Sequence, residues 1–226
     1  MRVEAVCFDF GGTLDGPADH WLPRFARLYA GVGLSVPFDD LRAAFGHATR
    51  SGYAERRVAG MGLGSLVEFH IERQFEHLGI NDPQRAAGIL EVFLNDTTAA
   101  LDRSQQILER LHRRCSLGVI SNFYGNVDRV LEEAGIAPLL ATIIDSNRVG
   151  VSKPEPAIFR LALDDLGCAA ADVLYVGDSF EKDVVGARQA GLRSAWLIGE
   201  TERPCPAPEL VDVRLRRLAD LESVIE

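Results

Sequence analysis

Residues 3–14 read "VEAVCFDFGGTL": a short apolar run, one aspartate, then two glycines. An apolar run of this length suits a strand buried on both faces of a parallel sheet. Asp9 follows it directly. Burying an ionised carboxylate without a partner is costly, so partners must come from elsewhere or Asp9 simply turns the chain. No second acid follows until Asp15.

Outward from this stretch, four further segments have the same character: 116–120 "SLGVI", 142–145 "TIID", 173–176 "VLYV" and 194–198 "SAWLI". Helical patterns at 104–113, 126–134, 155–166 and 181–190 separate the later ones. Gly135, Gly167 and Gly191 follow three of these patterns, where a left-handed C-terminal residue is wanted. Buried strands alternating with helices predict an α/β fold, a Rossmann-like parallel sheet with helices on both faces. Residues 17–98 break the alternation. Trp21, Phe25, Leu28 and Tyr29 recur at helical spacing, as do Leu66, Phe69, Phe75 and Leu78, and then Ile89, Leu90, Phe93 and Leu94. The expectation is a helical cap over 17–98, inserted into a core built from 1–16 and 99–226. Return to the core is expected near "NDTTAALDRS" (95–104). "MGLGS" (61–65) reads either as a loop facing a pocket or as a plain inter-helix turn.

Composition narrows the function. The chain has 226 residues, of which 47% are hydrophobic, enough for a substantial core. A net charge of −9 argues against a nucleic-acid partner, which needs clustered Lys and Arg. Cys7, Cys115, Cys168 and Cys205 are scattered, with no metal or redox spacing. His47, His70, His77 and His112 show no metal-ligand spacing either. The first residues lack a basic stretch followed by an apolar core, and no apolar run approaches a bilayer's span. A soluble, cytoplasmic protein without a membrane partner is expected.

Chemistry-bearing residues follow the predicted strands in order. Asp9 ends the first; Ser121 and Asn122 end the second in "VISNF"; Lys153 lies in "GVSKPEPAIF"; Asp178 and Asp183 follow the fourth in "VGDSFEKD". The carboxyl ends of parallel strands share one edge, where ligands bind. Singly, each residue has an ordinary use: Asp9 as a turn residue, Ser121 as a helix cap, Asp183 and Lys153 as solvated side chains. Jointly they suit a phosphoryl group. A carboxylate can attack phosphorus, clustered acids call for a cation such as Mg²⁺, and a lysine neutralises a phosphoryl oxygen. Lys153 and Lys182 are the only lysines in the chain.

"FDFGGTL", "VISN", "SKPEPAIF" and "VGDSFEKDVVGARQAG" resemble the four successive motifs of the haloacid dehalogenase-like (HAD) hydrolases, and the helical insert resembles their C1-type cap. The resemblance implies Asp9 as nucleophile and Ser121 and Lys153 as phosphoryl ligands, with Asn122 beside them. It implies a Mg²⁺ held by Asp9, Asp178, Asp183 and the carbonyl of Gly11, and a small phosphorylated metabolite as substrate. Gly11 is the departure. Phosphatases of this family usually carry there a second Asp, the general acid and base. Asp15 is the preferred substitute among Asp15, Asp19 and His20. Phosphonate hydrolases of the family use a cap lysine, which this chain lacks. A 2-haloacid dehalogenase ranks lower because "GDS" keeps an acid suited to metal, although Arg42 is available to hold a carboxylate. A non-catalytic phosphate- or partner-binding protein is the other alternative.

Overall fold

The computed structural model describes residues 1–225. The first apolar run forms β1 (Ala5–Phe8), buried throughout. Four helices follow it: α1 (Trp21–Gly31), α2 (Phe38–Ala54), α3 (Leu63–Leu78) and α4 (Pro83–His112). The chain then alternates through β2 (Ser116–Ser121), α5 (Val127–Glu133), β3 (Thr142–Asp145), α6 (Ser146–Val149), α7 (Pro156–Leu166) and β4 (Val173–Gly177). It closes with α8 (Gly186–Gln189), β5 (Arg193–Leu197), β6 (Val213–Leu215) and α9 (Leu221–Val224).

All the strand pairings are parallel, in the order β3-β2-β1-β4-β5-β6. Successive side chains of β1 face opposite sides of the sheet. Val6 and Phe8 join the cluster shared with α4 and the insert, while Ala5 and Cys7 join Ile158 and Phe159 of α7. Both faces are therefore covered. Burial pushes the Cys7 thiol up to about 12, so it is a packing residue.

The predicted strands are present, and three differences have physical causes. The helix expected at 104–113 is the second half of α4. Its buried stripe runs through Ile89, Phe93, Thr97, Ala100, Ser104, Leu108 and Leu111 without a break. The polar stretch around Thr97 hides that continuity in the sequence. Thr97 is buried because its hydroxyl accepts from Arg24 (2.6 Å) and donates to the Phe93 carbonyl (2.7 Å). The expected return segment, 95–104, thus lies inside a helix. The pattern at 181–190 opens as a π-helical turn over Phe180–Val185 before α8, a local widening often found at functional sites. The edge strand β6 was not predicted; it is three residues long and only partly buried.

Of the segment 61–65, Met61 and Gly62 form an inter-helix turn docked on the core, and Leu63 to Ser65 open α3. Asn126 donates to the Met61 carbonyl (2.8 Å), and Leu63 N–H donates to Glu133 (2.9 Å). Among the described residues, no helix is long and apolar enough to cross a membrane.

Candidate active site

Strand order reverses on either side of β1: β2 and β3 lie one way, β4 to β6 the other. Ligands of open α/β sheets bind at such a switch point, outside the carboxyl ends of the strands. Here β1 and β4 run in register, Phe8 against Val176, and the Asp9 N–H donates to the Val176 carbonyl (2.8 Å). Asp9 and Asp178 therefore leave adjacent strand ends side by side.

A tight turn follows Asp9, with the Phe10 carbonyl accepting from the N–H groups of Thr13 (3.1 Å) and Leu14 (2.9 Å). Gly12 has φ +90°, and a Cβ there would stand 2.7 Å from Asp178 Oδ2. Only glycine lets the turn pass this close to the acid. At Gly11, by contrast, a Cβ would meet nothing within 4 Å. The space beside Asp9 is open.

Oxygens of Asp9, Asp178 and Asp183 all lie within 4.8 Å of one another. Lys153 stands among them. Its Nζ donates to Asp9 Oδ1 (2.7 Å), Asp183 Oδ1 (2.7 Å) and the Tyr175 hydroxyl (2.8 Å), which uses its three protons. Tyr175 in turn donates to the Ile120 carbonyl (2.8 Å), so a lone pair faces the lysine. Burial alone would lower the Lys153 pKa, but Asp183 and Asp9 outweigh it and hold it above the usual lysine value. Three carboxylates around one ammonium still leave a formal excess of two negative charges. Burial, then Asp9 and Asp183, raise Asp178 well above the carboxylate range. Asp183 is pushed up to about 6, mainly by burial, with Lys153 opposing.

The two flanking acids are held differently. Asp183 Oδ2 accepts from Ser179 N–H (2.9 Å) while Oδ1 takes the lysine, so both its oxygens are engaged. Asp178 Oδ1 is buried with no hydrogen-bond partner. An orphaned buried carboxylate oxygen beside two further acids fits a hard, oxygen-seeking divalent cation.

Ser121 Oγ lies 3.4 Å from Asp9 Oδ1, a long contact that leaves the hydroxyl free to serve a ligand. Asn122 also lines the cavity, and its amide donates to the Lys153 carbonyl (3.0 Å) and accepts from the Lys153 N–H (2.8 Å). It holds the lysine's backbone. The structure places Asp15 away from the cavity, fully buried, with Oδ1 accepting from Gly12 N–H (2.6 Å) and Oδ2 from Trp21 Nε1 (2.5 Å). Burial pushes it up to about 6, with Arg24 opposing. Both oxygens brace the turn, so it is not positioned to protonate a leaving group. Arg42 is exposed, pairs with Asp39 (3.1 Å) and lies over the Phe38 ring, away from the cavity.

A cavity of about 210 Å³ opens above Asp9, with Gly11, Ser121, Lys153 and Asp178 in its floor. Its remaining walls include Trp21, Phe123 and Tyr124, and residues of α2. Sequence reasoning missed Tyr175 and these aromatic walls. The one available signal for Tyr175 was a phenol in the otherwise aliphatic run "VLYV".

Comparison with known proteins agrees with this geometry. The family described as haloacid dehalogenase-like hydrolase matches residues 3–191. A phosphoserine phosphatase of Thermus thermophilus is 32% identical over 215 residues, covering 88% of this chain and 84% of that protein. A solved 2-haloacid dehalogenase of Pseudomonas syringae is 26% identical, with a TM-score of 0.57 and coverage of 98% and 97%. The magnesium-bound HAD-hydrolase YfnB of Bacillus subtilis shares the fold at 16% identity, TM-score 0.59, covering 99% of both chains. Matched from its first strand to the helix beyond its fourth, this chain belongs to the haloacid dehalogenase-like hydrolases.

Proposed function

We propose that this hydrolase is a Mg²⁺-dependent phosphatase acting on a small phosphorylated metabolite, with Asp9 as nucleophile. The observation that carries the reading is the buried cluster of Asp9, Asp178 and Asp183 around Lys153 at the sheet's switch point. Asp9, Asp178 and the Gly11 carbonyl are the groups to hold Mg²⁺. Asp183, with both oxygens engaged, acts through Lys153 or through water. A bound Mg²⁺ supplies charge neutralisation for the acids and the phosphoryl oxygens.

One Asp9 oxygen attacks phosphorus while the bond from phosphorus to the leaving oxygen breaks, giving an aspartyl phosphate. Lys153 stays protonated, and the N–H that it gives to Asp9 passes to a phosphoryl oxygen as Asp9 attacks. Ser121 binds a second oxygen. Water then attacks the aspartyl phosphate, releasing inorganic phosphate and restoring Asp9. The proton freed in that step balances the one the leaving oxygen takes from solvent. No carboxyl stands at Gly11 to deliver it directly, so good leaving groups are favoured.

The relatives are consistent with phosphate chemistry, since one is named a phosphoserine phosphatase. The dehalogenase alternative loses its carboxylate ligand with Arg42 turned away. A screen of phosphorylated metabolites for phosphate release, with Mg²⁺ and with chelator, is the test. Mg²⁺-dependent release lost in Asp9→Asn supports the reading. Release that persists in Asp9→Asn, or in chelator, contradicts it. A wild type that binds phosphate but never turns over would point to the non-catalytic alternative.

A further inference from the structure

The walls of the cavity above the acidic floor are built from rings. Trp21, Phe45, Tyr53, Phe123 and Tyr124 line it together with the imidazole of His20. They form a continuous aromatic surface: Trp21 and Phe123 ring centres are 6.1 Å apart, Phe123 and Tyr124 5.2 Å, Tyr124 and Tyr53 5.0 Å. Two of the polar tips are turned to other partners. Trp21 Nε1 donates to Asp15, and the Tyr124 hydroxyl pairs with His70 Nε2 at 2.7 Å. What faces the cavity there is ring surface.

Charge is distributed unevenly. Asp9, Asp178 and Lys153 lie in the floor, and the other lining cation, Lys182, is an exposed residue of the turn after β4. Nothing contributed by α2 carries a charge: its lining residues are Phe45, Thr49 and Tyr53. Burial, then the nearby Lys182, lower the His20 pKa from the ordinary imidazole value, with Asp9 and Asp19 opposing. Gly11 also lines the cavity, and a Cβ there would meet nothing within 4 Å. About 150 Å³ of apolar cavity suffices for a benzene molecule, so about 210 Å³ has room for a phosphoryl group and a single ring.

Resting on the phosphatase reading above, we infer that the aromatic walls form a subsite for an uncharged, single-ring aryl group, making the substrate class aryl phosphomonoesters. Two features with separate origins agree on this. Aromatic walls recognise a ring by offset and edge contacts. The absent acid at Gly11 matters least when the departing oxygen is a phenoxide, a far weaker base than an alkoxide.

Binding separates this subsite from turnover. Titration calorimetry with Mg²⁺ would compare phenylphosphonate, methylphosphonate and phosphonoacetate, none of which carries a bridging oxygen to cleave. Phenylphosphonate is expected to bind at least about tenfold tighter than methylphosphonate, the lower end for burying one aromatic ring. Tyr53→Ala, at a half-exposed wall position, should shrink that ratio at least threefold; Phe45→Leu, which keeps apolar volume, should shrink it too. Equal affinities for the phenyl and methyl compounds in the wild type overturn the aryl subsite while leaving the phosphatase reading standing. Tighter binding of phosphonoacetate, abolished in Lys182→Ala, overturns it in favour of a carboxylate-bearing substrate. If no phosphonate binds, the aryl subsite is overturned, and the phosphate-release screen decides the phosphatase reading separately.

Discussion

Gly11 is the residue on which the chemistry turns. A Cβ there meets no atom within 4 Å, so Gly11→Asp should fold normally. General acid catalysis is typically worth about 10²–10⁴-fold, and the gain should fall on alkyl phosphates, with little change for aryl ones. Steady-state kcat/KM for one ester of each kind checks this. An equal gain on both would mean that leaving-group protonation is not what the wild type lacks. Asp15 should behave in the opposite way. Its oxygens accept from Gly12 N–H and Trp21 Nε1, so Asp15→Asn turns an amide N–H toward a donor. The expected cost is about 1–3 kcal/mol of stability, read by denaturant unfolding, with alkyl and aryl turnover reduced in the same proportion. A selective loss of alkyl turnover would restore Asp15 as the acid.

At the scale of elements, the site is a set of strand ends held by short loops. Asp145, at the end of β3, accepts from the N–H groups of Gly125 (2.9 Å), Val127 (3.1 Å) and Asn147 (3.0 Å). It fixes the loop that leaves β2 at Ser121 and carries the aromatic pair Phe123 and Tyr124. Asp145→Ala leaves buried donors unsatisfied and should cost at least about 2 kcal/mol, with KM rising more than kcat falls. An unchanged KM would separate the loop from substrate binding. Strand ends were also what the sequence displayed best. Asp9, Ser121 and Asp178 follow apolar runs whose parallel pairing dictates convergence. The interior of elements was harder to read. Thr97 looks like a break in a helix until Arg24 is seen bonded to it, and Tyr175 looks like one more strand residue until Lys153 is seen above it. Asn122 follows Ser121 into the cavity lining, while its amide spans the backbone of a residue 31 positions away. Such partners are set by packing across the sheet, and no local pattern encodes them.

For the whole molecule, the excess of buried acid predicts how stability responds to pH and metal. Asp15 and Asp183 are pushed up to about 6 from an ordinary value of 3.8, and Asp178 is held well above its own ordinary value. Between those values these three acids hold more protons in the folded chain than in the unfolded one, which outweighs the opposite effect of buried His70 (lowered to about 3) and His20, so stability without metal falls as pH rises. Melting without metal should therefore occur at higher temperature at pH 5 than at pH 7.5. Mg²⁺ should raise the melting temperature more at pH 7.5, where protons no longer compete for the acids. Asp178→Asn should melt higher than the wild type in chelator and lose the Mg²⁺ response. A metal-free protein that is most stable at pH 7.5 would show that these acids do not repel one another.

In the proposed reaction Asp9 carries the phosphoryl group, and trapping that adduct reads the bond itself. The protein would be mixed with acetyl phosphate and Mg²⁺, quenched in acid within the first turnovers, and digested for mass spectrometry. The mass of one added phosphoryl group is expected on the peptide containing Asp9, absent in Asp9→Asn and absent when chelator replaces Mg²⁺. Phosphate released at the wild-type rate with no adduct on that peptide, or an adduct on any other residue, would contradict it.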